Sequence, residues 1–208
     1  MTFLKKLFLI LISNPDKTFL ETEDLYAHLS DEELVEQIVA NSDPLLFGKL
    51  YDRYAKMVYN KCYGFAKSDS EAEDLTQDVF LQLFIKLPTF KGRSKFSTWL
   101  YSFTYNFCVN YINRNKQRKM SDQSVHVDDT EYKLTEEVPD ESLLEMKADK
   151  LKKSLGLISA EEKSILLLKY QDGASIKELV SLLDLGESAV KMRLKRAKER
   201  LLEIYNTL

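Results

Sequence analysis

The sequence is short of the residues that make turns and cross-links. Its 208 residues include 6 glycines and 4 prolines, too few for an all-β sandwich or barrel, which needs a turn every ~8–12 residues. Two cysteines, Cys62 and Cys108, exclude a disulfide-stapled mini-protein. Their apolar, helix-like surroundings mark them as buried free thiols of a cytoplasmic protein. The two histidines, His28 and His126, sit in acidic text without partner motifs, and no Cys/His spacing matches a metal site. No catalytic residue, metal ligand or cofactor is therefore expected. Phosphate-binding glycine loops and nucleophile elbows are absent. Ser188-Ala-Val-Lys191 fits a Ser-x-x-Lys pattern whose companion motifs are missing, and the pair Asp128-Asp129 reads as solvated linker. Long apolar runs are missing too. Leu7 to Ile12, after Lys5 and Lys6, is too short to span a bilayer and precedes no small-x-small cleavage site, so residues 1–29 read as an extension without stable membrane insertion.

What remains is helical text, 44% hydrophobic and 30% charged, enough for one large domain or two of roughly 100 residues. The net charge of −3 and a pI near 5.6, taken alone, argue against a nucleic-acid partner. Block counts reverse that. Residues 18–48 carry eight acidic side chains and no Lys or Arg, whereas residues 79–121 carry eight basic ones and no Asp or Glu. Residues 122–150 then hold ten acidic against three basic, and residues 187–203 six basic against three acidic. Two basic segments separated by an acidic stretch predict two polyanion-binding surfaces joined by a linker. The acidic parts could also cover the basic ones in the free protein.

Helix starts are well marked. Ser30, Ser68, Ser159 and Ser175 each precede a Glu by three residues, the capping-box pattern, and Asp43-Pro44 supplies a cap with Pro at the first helical position. Apolar spacing is helical through Leu46, Leu50, Tyr54, Met57 and Val58, through Leu75, Val79, Leu83 and Leu87, and through Phe96, Leu100, Phe103 and Phe107. Pro88 ends the third helix, and a short loop from Phe90 to Ser94 precedes the fourth. No period-two alternation appears, so the fold class is all-α: two small helical domains. Periodicity fails over residues 119–141, the acidic linker. It separates a first domain at residues 30–118 from a second at residues 142–208.

The second domain has helix-turn-helix layout. Ser175 to Asp184 is a short amphipathic helix, Leu185-Gly186-Glu187 a turn with Gly186 expected at positive φ, and Ser188 to Ile204 a longer basic helix. Ile176, Leu179, Val180, Leu183, Val190 and Leu194 are the expected packing residues. Lys191, Met192, Lys195, Arg196 and Lys198 point outward; the helix start suits a major groove, while Lys195, Arg196, Lys198 and Arg200 suit phosphates. The other basic segment interleaves its cations with Phe90, Phe96, Trp99, Phe103 and Phe107 and offers Asn106, Asn110 and Asn113. Rings, amides and cations together suit unpaired bases rather than intact duplex.

Three long passages carry a family resemblance: Glu73-Asp-Leu-Thr-Gln-Asp-Val-Phe80; Phe90-Lys-Gly-Arg-Ser-Lys-Phe-Ser-Thr-Trp-Leu-Tyr101 followed by Asn106; and Gly173-Ala-Ser-Ile-Lys-Glu-Leu179 running into Ala189-Val-Lys-Met-Arg-Leu-Lys-Arg-Ala-Lys198. In order and content the sequence resembles a bacterial RNA polymerase sigma factor of the extracytoplasmic-function group, the compact kind with regions 2 and 4 only, over most of residues 34–202. The resemblance implies promoter-specific initiation by core RNA polymerase. Asp74, Gln77, Asp78 and Phe80 fall where the family docks on the β′ clamp helices, and region 4 implies the β flap as a second contact. Phe90, Lys91, Gly92, Arg93, Ser94, Lys95 and Phe96 correspond to the loop that captures a flipped base of the minus-ten element, with Asn106 on the following helix. Lys191, Met192, Lys195 and Arg196 fall on the helix that reads duplex at minus thirty-five. The linker resembles the segment that threads the RNA exit path, and the family implies an anti-sigma partner. Thr98 and Trp99 occupy family positions at the junction, with Trp99 read mostly as core. Arg93, where many relatives are acidic, and Ser102, where many are basic, depart from the pattern. Met192 would read by apolar contact, as with a thymine methyl.

Two rival readings remain open at this point. A stand-alone helix-turn-helix regulator would bind duplex without polymerase and has no use for the aromatic and cationic segment. A nucleic-acid enzyme would need a metal-ligand pattern of carboxylates within the basic segments, and neither segment shows one.

Overall fold

The structure, a computed structural model, describes residues 28–120, 139, 140, 143 and 146–208. The extension at residues 1–27 and most of the linker, His126 and Asp128-Asp129 included, lie outside the described residues. Among the described residues every regular element is helical, as the missing alternation predicts: α1 (Asp31–Asn41), α2 (Pro44–Tyr63), α3 (Asp69–Lys86) closed by a 3₁₀ turn (Leu87–Thr89), α4 (Phe96–Met120), α5 (Ala148–Leu155), α6 (Ala160–Leu166) running into a π turn (Leu167–Gln171), α7 (Ile176–Leu183) and α8 (Glu187–Thr207). The chain divides into two compact units whose boundary falls inside α4, between Thr104 and Tyr105.

In the first unit the caps form where the sequence marks them. The Ser30 hydroxyl accepts the Glu33 N–H and the Glu33 carboxylate accepts the Ser30 N–H, so α1 starts with two backbone donors satisfied. Asp43 accepts the Leu45 N–H at 2.8 Å, with Pro44 at the first helical position. At α3 the box is opened: Ser68 accepts the Glu71 N–H, but the Glu71 carboxylate reaches past the cap to the Lys67 N–H. Packing of α2 against α3 and α1 buries Leu34, Leu50, Val58, Val79, Phe80 and Leu83 completely. Phe80 meets Tyr51 at 4.5 Å between ring centroids and Phe47 at 6.3 Å, and each buried ring of this size contributes about 1.5–3 kcal/mol. Met57, expected in the core, is 42% exposed; it lies at the edge of the buried stripe, where its sulfur receives the Tyr101 hydroxyl at 3.4 Å.

One polar cluster joins the start of α1 to α2. Asp31 accepts from Arg53 at 2.7 Å and from the Tyr54 hydroxyl, while the second arm of Arg53 donates to the Leu29 carbonyl at 2.9 Å. Burial first, and the Asp31 hydrogen bond second, push the Tyr54 hydroxyl far above its ordinary range, so it remains a donor at every physiological pH.

In the second unit Ser159–Glu162 and Ser175–Glu178 both close as capping boxes. At the end of α6 the Asp172 N–H reaches the Leu167 carbonyl at 3.0 Å and the Ala174 N–H the Leu168 carbonyl at 2.9 Å. This widened turn lets the chain leave α6 and enter α7. On α8, Val190, Leu194, Ala197 and Leu201 are buried at alternating spacings of four and three, a helix face laid against α5, α6 and α7. Ile176, Val180 and Leu183 are half-buried beside fully buried Leu179.

The tight turn between α7 and α8 corrects the expectation for its glycine. Gly186 has φ −66, ordinary extended backbone, and precedes α8 as its cap, whereas Asp184 takes the left-handed conformation at φ 52. A short carboxylate side chain tolerates that region better than most, so α7 ends one residue earlier than a glycine signal implies.

Asp140, near the end of the linker, accepts from the Lys198 ammonium at 2.8 Å and the Tyr170 hydroxyl at 2.7 Å. Lys198, expected at phosphate, is thus engaged within its own unit, its side chain 15% exposed. The Lys198 bond, followed by the Tyr170 bond, holds the Asp140 carboxyl below the usual carboxylate range. A depressed carboxylate stabilises the fold above its unfolded pKa near 4 and loses that contribution as pH falls through the lower, folded value. Asp140→Asn is therefore expected to destabilise at neutral pH, with its deficit to the native chain shrinking below about pH 4 in denaturant titrations at stepped pH. The turn makes a second prediction. Gly186→Ser should gain about 0.5 kcal/mol by supplying a capping hydroxyl, where a left-handed glycine would lose about 1. Gly92→Ala, at φ +64, should lose about 1 kcal/mol in the same denaturant assay.

Candidate nucleic-acid interface

The loop from Phe90 to Lys95 is fastened at both ends and open in the middle. At one end the Phe90 N–H bonds the Leu87 carbonyl and Thr89 caps back onto Lys86. At the other the Phe96 N–H donates to the Glu32 carboxylate of α1 at 2.9 Å. Phe90, Phe96 and Trp99 form a ring cluster with centroids 5.4 to 5.9 Å apart, and Trp99 stacks on Phe103 at 5.6 Å with a 21° tilt. Between these anchors Gly92 turns the backbone through positive φ, and Lys91, Arg93 and Lys95 stand exposed, with Ser94 half-buried beside them. Phe96 departs from the expectation: it is fully buried and packs edge-on against Tyr54 at 5.6 Å. It anchors the loop from beneath and has no surface to offer a base.

Helical spacing lays Trp99, Phe103, Asn106, Phe107 and Asn110 along one side of α4. The three rings are half-buried and Asn106 and Asn110 exposed, while Leu100, Tyr105 and Cys108 on the other side are fully buried. Helix α4 thus has one core stripe and a second stripe of rings and amides continuous with the loop's Trp99.

On α3, Asp74 and Asp78 are exposed and Gln77 is half-buried, but Phe80 is fully buried. Its neighbours Phe47 and Tyr51 claim the ring, so it cannot meet a partner. Leu81, 38% exposed, and Ile85, 65% exposed, are the large apolar side chains that α3 leaves at the surface. Asp74, Asp78, Leu81 and Ile85 follow the i, i+4, i+7, i+11 spacing of one helix face. That stripe, acidic at its start and apolar at its end, was legible as periodicity but was masked by the greater size of Phe80.

On α8, Lys191, Met192 and Arg196 are exposed and Lys195 is half-buried. Lys191 pairs with Glu187 at 2.6 Å, which lowers the Glu187 carboxyl, and Lys195 lies 3.9 Å from Glu199. Lys191 and Lys195 thus each have an acidic neighbour one turn away. Arg200 is paired with Glu203 at 2.6 Å. Arg193 is exposed next to Met192, adding a cation near the start of the helix. Among the described residues no helix is long and apolar enough to cross a membrane.

Comparison with known proteins shows the family. The chain matches the family model of sigma-70 region 2 over residues 50–118 and that of sigma-70 region 4 over residues 148–201. It is 25% identical to the ECF RNA polymerase sigma factor SigW of Bacillus subtilis over 169 residues, covering 78% of this chain and 90% of SigW. It is 26% identical to the ECF RNA polymerase sigma-E factor of Escherichia coli over 179 residues, covering 82% of this chain and 92% of that protein. Its fold is similar to that of the sigma factor RpoE, solved in complex with the anti-sigma factor NepR from Bartonella quintana, with a TM-score of 0.53 and 20% identity over 77% of this chain and 96% of that one. A region 2 ahead of the helix-turn-helix removes the stand-alone regulator reading. The chain belongs to the sigma-70 family, in its extracytoplasmic-function group, and is a sigma factor that binds core RNA polymerase and directs promoter-specific transcription initiation.

Proposed function

We propose that the two helical parts divide promoter recognition and that the first of them melts the DNA. Residues 142–208 fix register on duplex at minus thirty-five, with Met192 and Lys191 toward base edges and Lys195 and Arg196 toward phosphates. Residues 30–118 bind the β′ clamp helices through Asp74, Gln77, Asp78 and the apolar pair Leu81 and Ile85. The loop of Lys91, Gly92, Arg93, Ser94 and Lys95, backed by Phe90, then takes an unpaired base of the minus-ten element, with Asn106 bonding its edge. The observation that carries this reading is the anchored ring cluster under three exposed cations, a surface suited to stacking and backbone neutralisation at once. Trapping unpaired bases shifts the closed-to-open equilibrium by differential binding alone, so this subunit performs no catalytic step. The acidic linker at residues 119–141 lies in the RNA exit path, and the second domain meets the β flap. The RpoE neighbour was crystallised with an anti-sigma factor, and we extend that class of partner to this chain, acting in the cytoplasm.

Run-off transcription from a random-sequence duplex library with purified core polymerase tests the reading. The full chain is expected to enrich a defined promoter, and no enrichment over core alone would reject it. On that promoter Leu81→Lys should weaken core binding about tenfold or more, as loss of a buried apolar contact does. Asn106→Ala should keep core binding and lower permanganate reactivity of the melted bases; equal loss of both rejects the base-trapping role. Arg196→Ala should reduce the salt slope of duplex binding by about 1, and an unchanged slope removes its phosphate contact.

A further inference from the structure

Helix α4 begins without a cap of its own. The Trp99 N–H bonds the Lys95 carbonyl at 3.1 Å, which makes Lys95 the capping position, and a lysine side chain has no oxygen to offer the first backbone donors. Glu32 does the work instead, accepting the Phe96 N–H from 64 residues away at 2.9 Å. Its neighbours are committed elsewhere, Asp31 to Arg53 and Tyr54 and Glu33 to the Ser30 N–H. A carboxylate at a helix start is favoured by the exposed N–H groups and their aligned dipoles. Helix α1 also forms one wall of a groove, with Glu32, Val35 and Val39 facing Leu87, Phe90 and Gly92, so the helix that supplies the cap also borders the first half of the loop.

We infer that Glu32 is a positioning residue for the minus-ten loop: by holding the Phe96 N–H it sets where α4 begins, and with it the seat of Phe90, the Gly92 turn and the three loop cations. This rests on the reading of that loop as the base trap. It gives α1, which lies ahead of the stretch matched as region 2, a part in promoter opening without touching DNA. Phe96 is the mechanical link, since its backbone is held by Glu32 while its ring is buried against Tyr54 and Phe90.

Two readouts test this on the full chain: permanganate reactivity of promoter thymines with core polymerase, and emission of Trp99, the one tryptophan of the sequence, in the free protein. Glu32→Ala is expected to lower opening about tenfold, the loss of one hydrogen bond to a backbone N–H, with core affinity unchanged and Trp99 emission shifted. Glu32→Gln keeps an acceptor at the same reach and should restore both readouts. Glu32→Asp keeps the charge but withdraws the oxygens by about 1.5 Å and should behave like alanine. Native opening by Glu32→Ala would overturn the inference, as would the reverse order of the Gln and Asp variants, which would make the charge rather than the cap responsible. If Glu32→Ala does not fold, the Gln and Asp pair decides. If the native chain itself opens no promoter, the base-trap reading fails, and the Trp99 emission series still decides whether Glu32 positions the loop.

Discussion

A helix must satisfy its first backbone N–H groups, and α4 meets that demand through a carboxylate from another helix, Glu32 to Phe96. That constraint ties together parts of the first unit distant in sequence. Helix α1 can deliver Glu32 only because Asp31 is clamped by Arg53 and Tyr54 of α2 and because the capping box of Ser30 and Glu33 starts α1 at the right residue. Phe96 can receive it only because its ring fills the space beside Tyr54. Three consecutive acidic residues thus anchor three different things, and the exposed loop of Lys91, Arg93 and Lys95 inherits its position from all of them.

The charge blocks acquire a different meaning in this light. Block counts alone present the acidic stretch at residues 18–48 as a counterweight to the basic segments, with the possibility of covering them. In the structure Asp31, Glu32, Glu33 and Asp43 are engaged in caps and in the clamp on α2. The one described acidic residue near the linker's end that meets a cation of α8 is Asp140, which holds Lys198 inside the second unit together with Tyr170. Short-range geometry, rather than net charge, decides which cations stay outward. Lys191, Arg193 and Arg196 do, and Lys198 does not.

Burial also sorts the aromatic residues, and with them the candidate interfaces. Phe80 and Phe96 are contact positions by family resemblance, yet both are fully buried. Their rings gain more from the packed interior than from any exposed position. Leu81 and Ile85, less conspicuous by type, are the apolar side chains left on the surface of α3 beside Asp74 and Asp78. An exposed apolar stripe next to carboxylates fits the docking of another protein's helices better than nucleic acid, which the same carboxylates would repel.

The sequence by itself determined the all-α class, three of the four capping boxes, the helix-turn-helix and the identity of the family, because each of these is written in local spacing: three residues from cap to Glu, three or four between buried positions, and long ordered motifs. It also named the loop and its three cations. Tertiary structure decided which rings face inward, that Asp184 rather than Gly186 takes the left-handed turn, that Lys198 is claimed by Asp140, and that α4 is capped from α1. These are matters of which groups meet across tens of residues, where packing and hydrogen-bond partners are set by the assembled core and no local pattern records them.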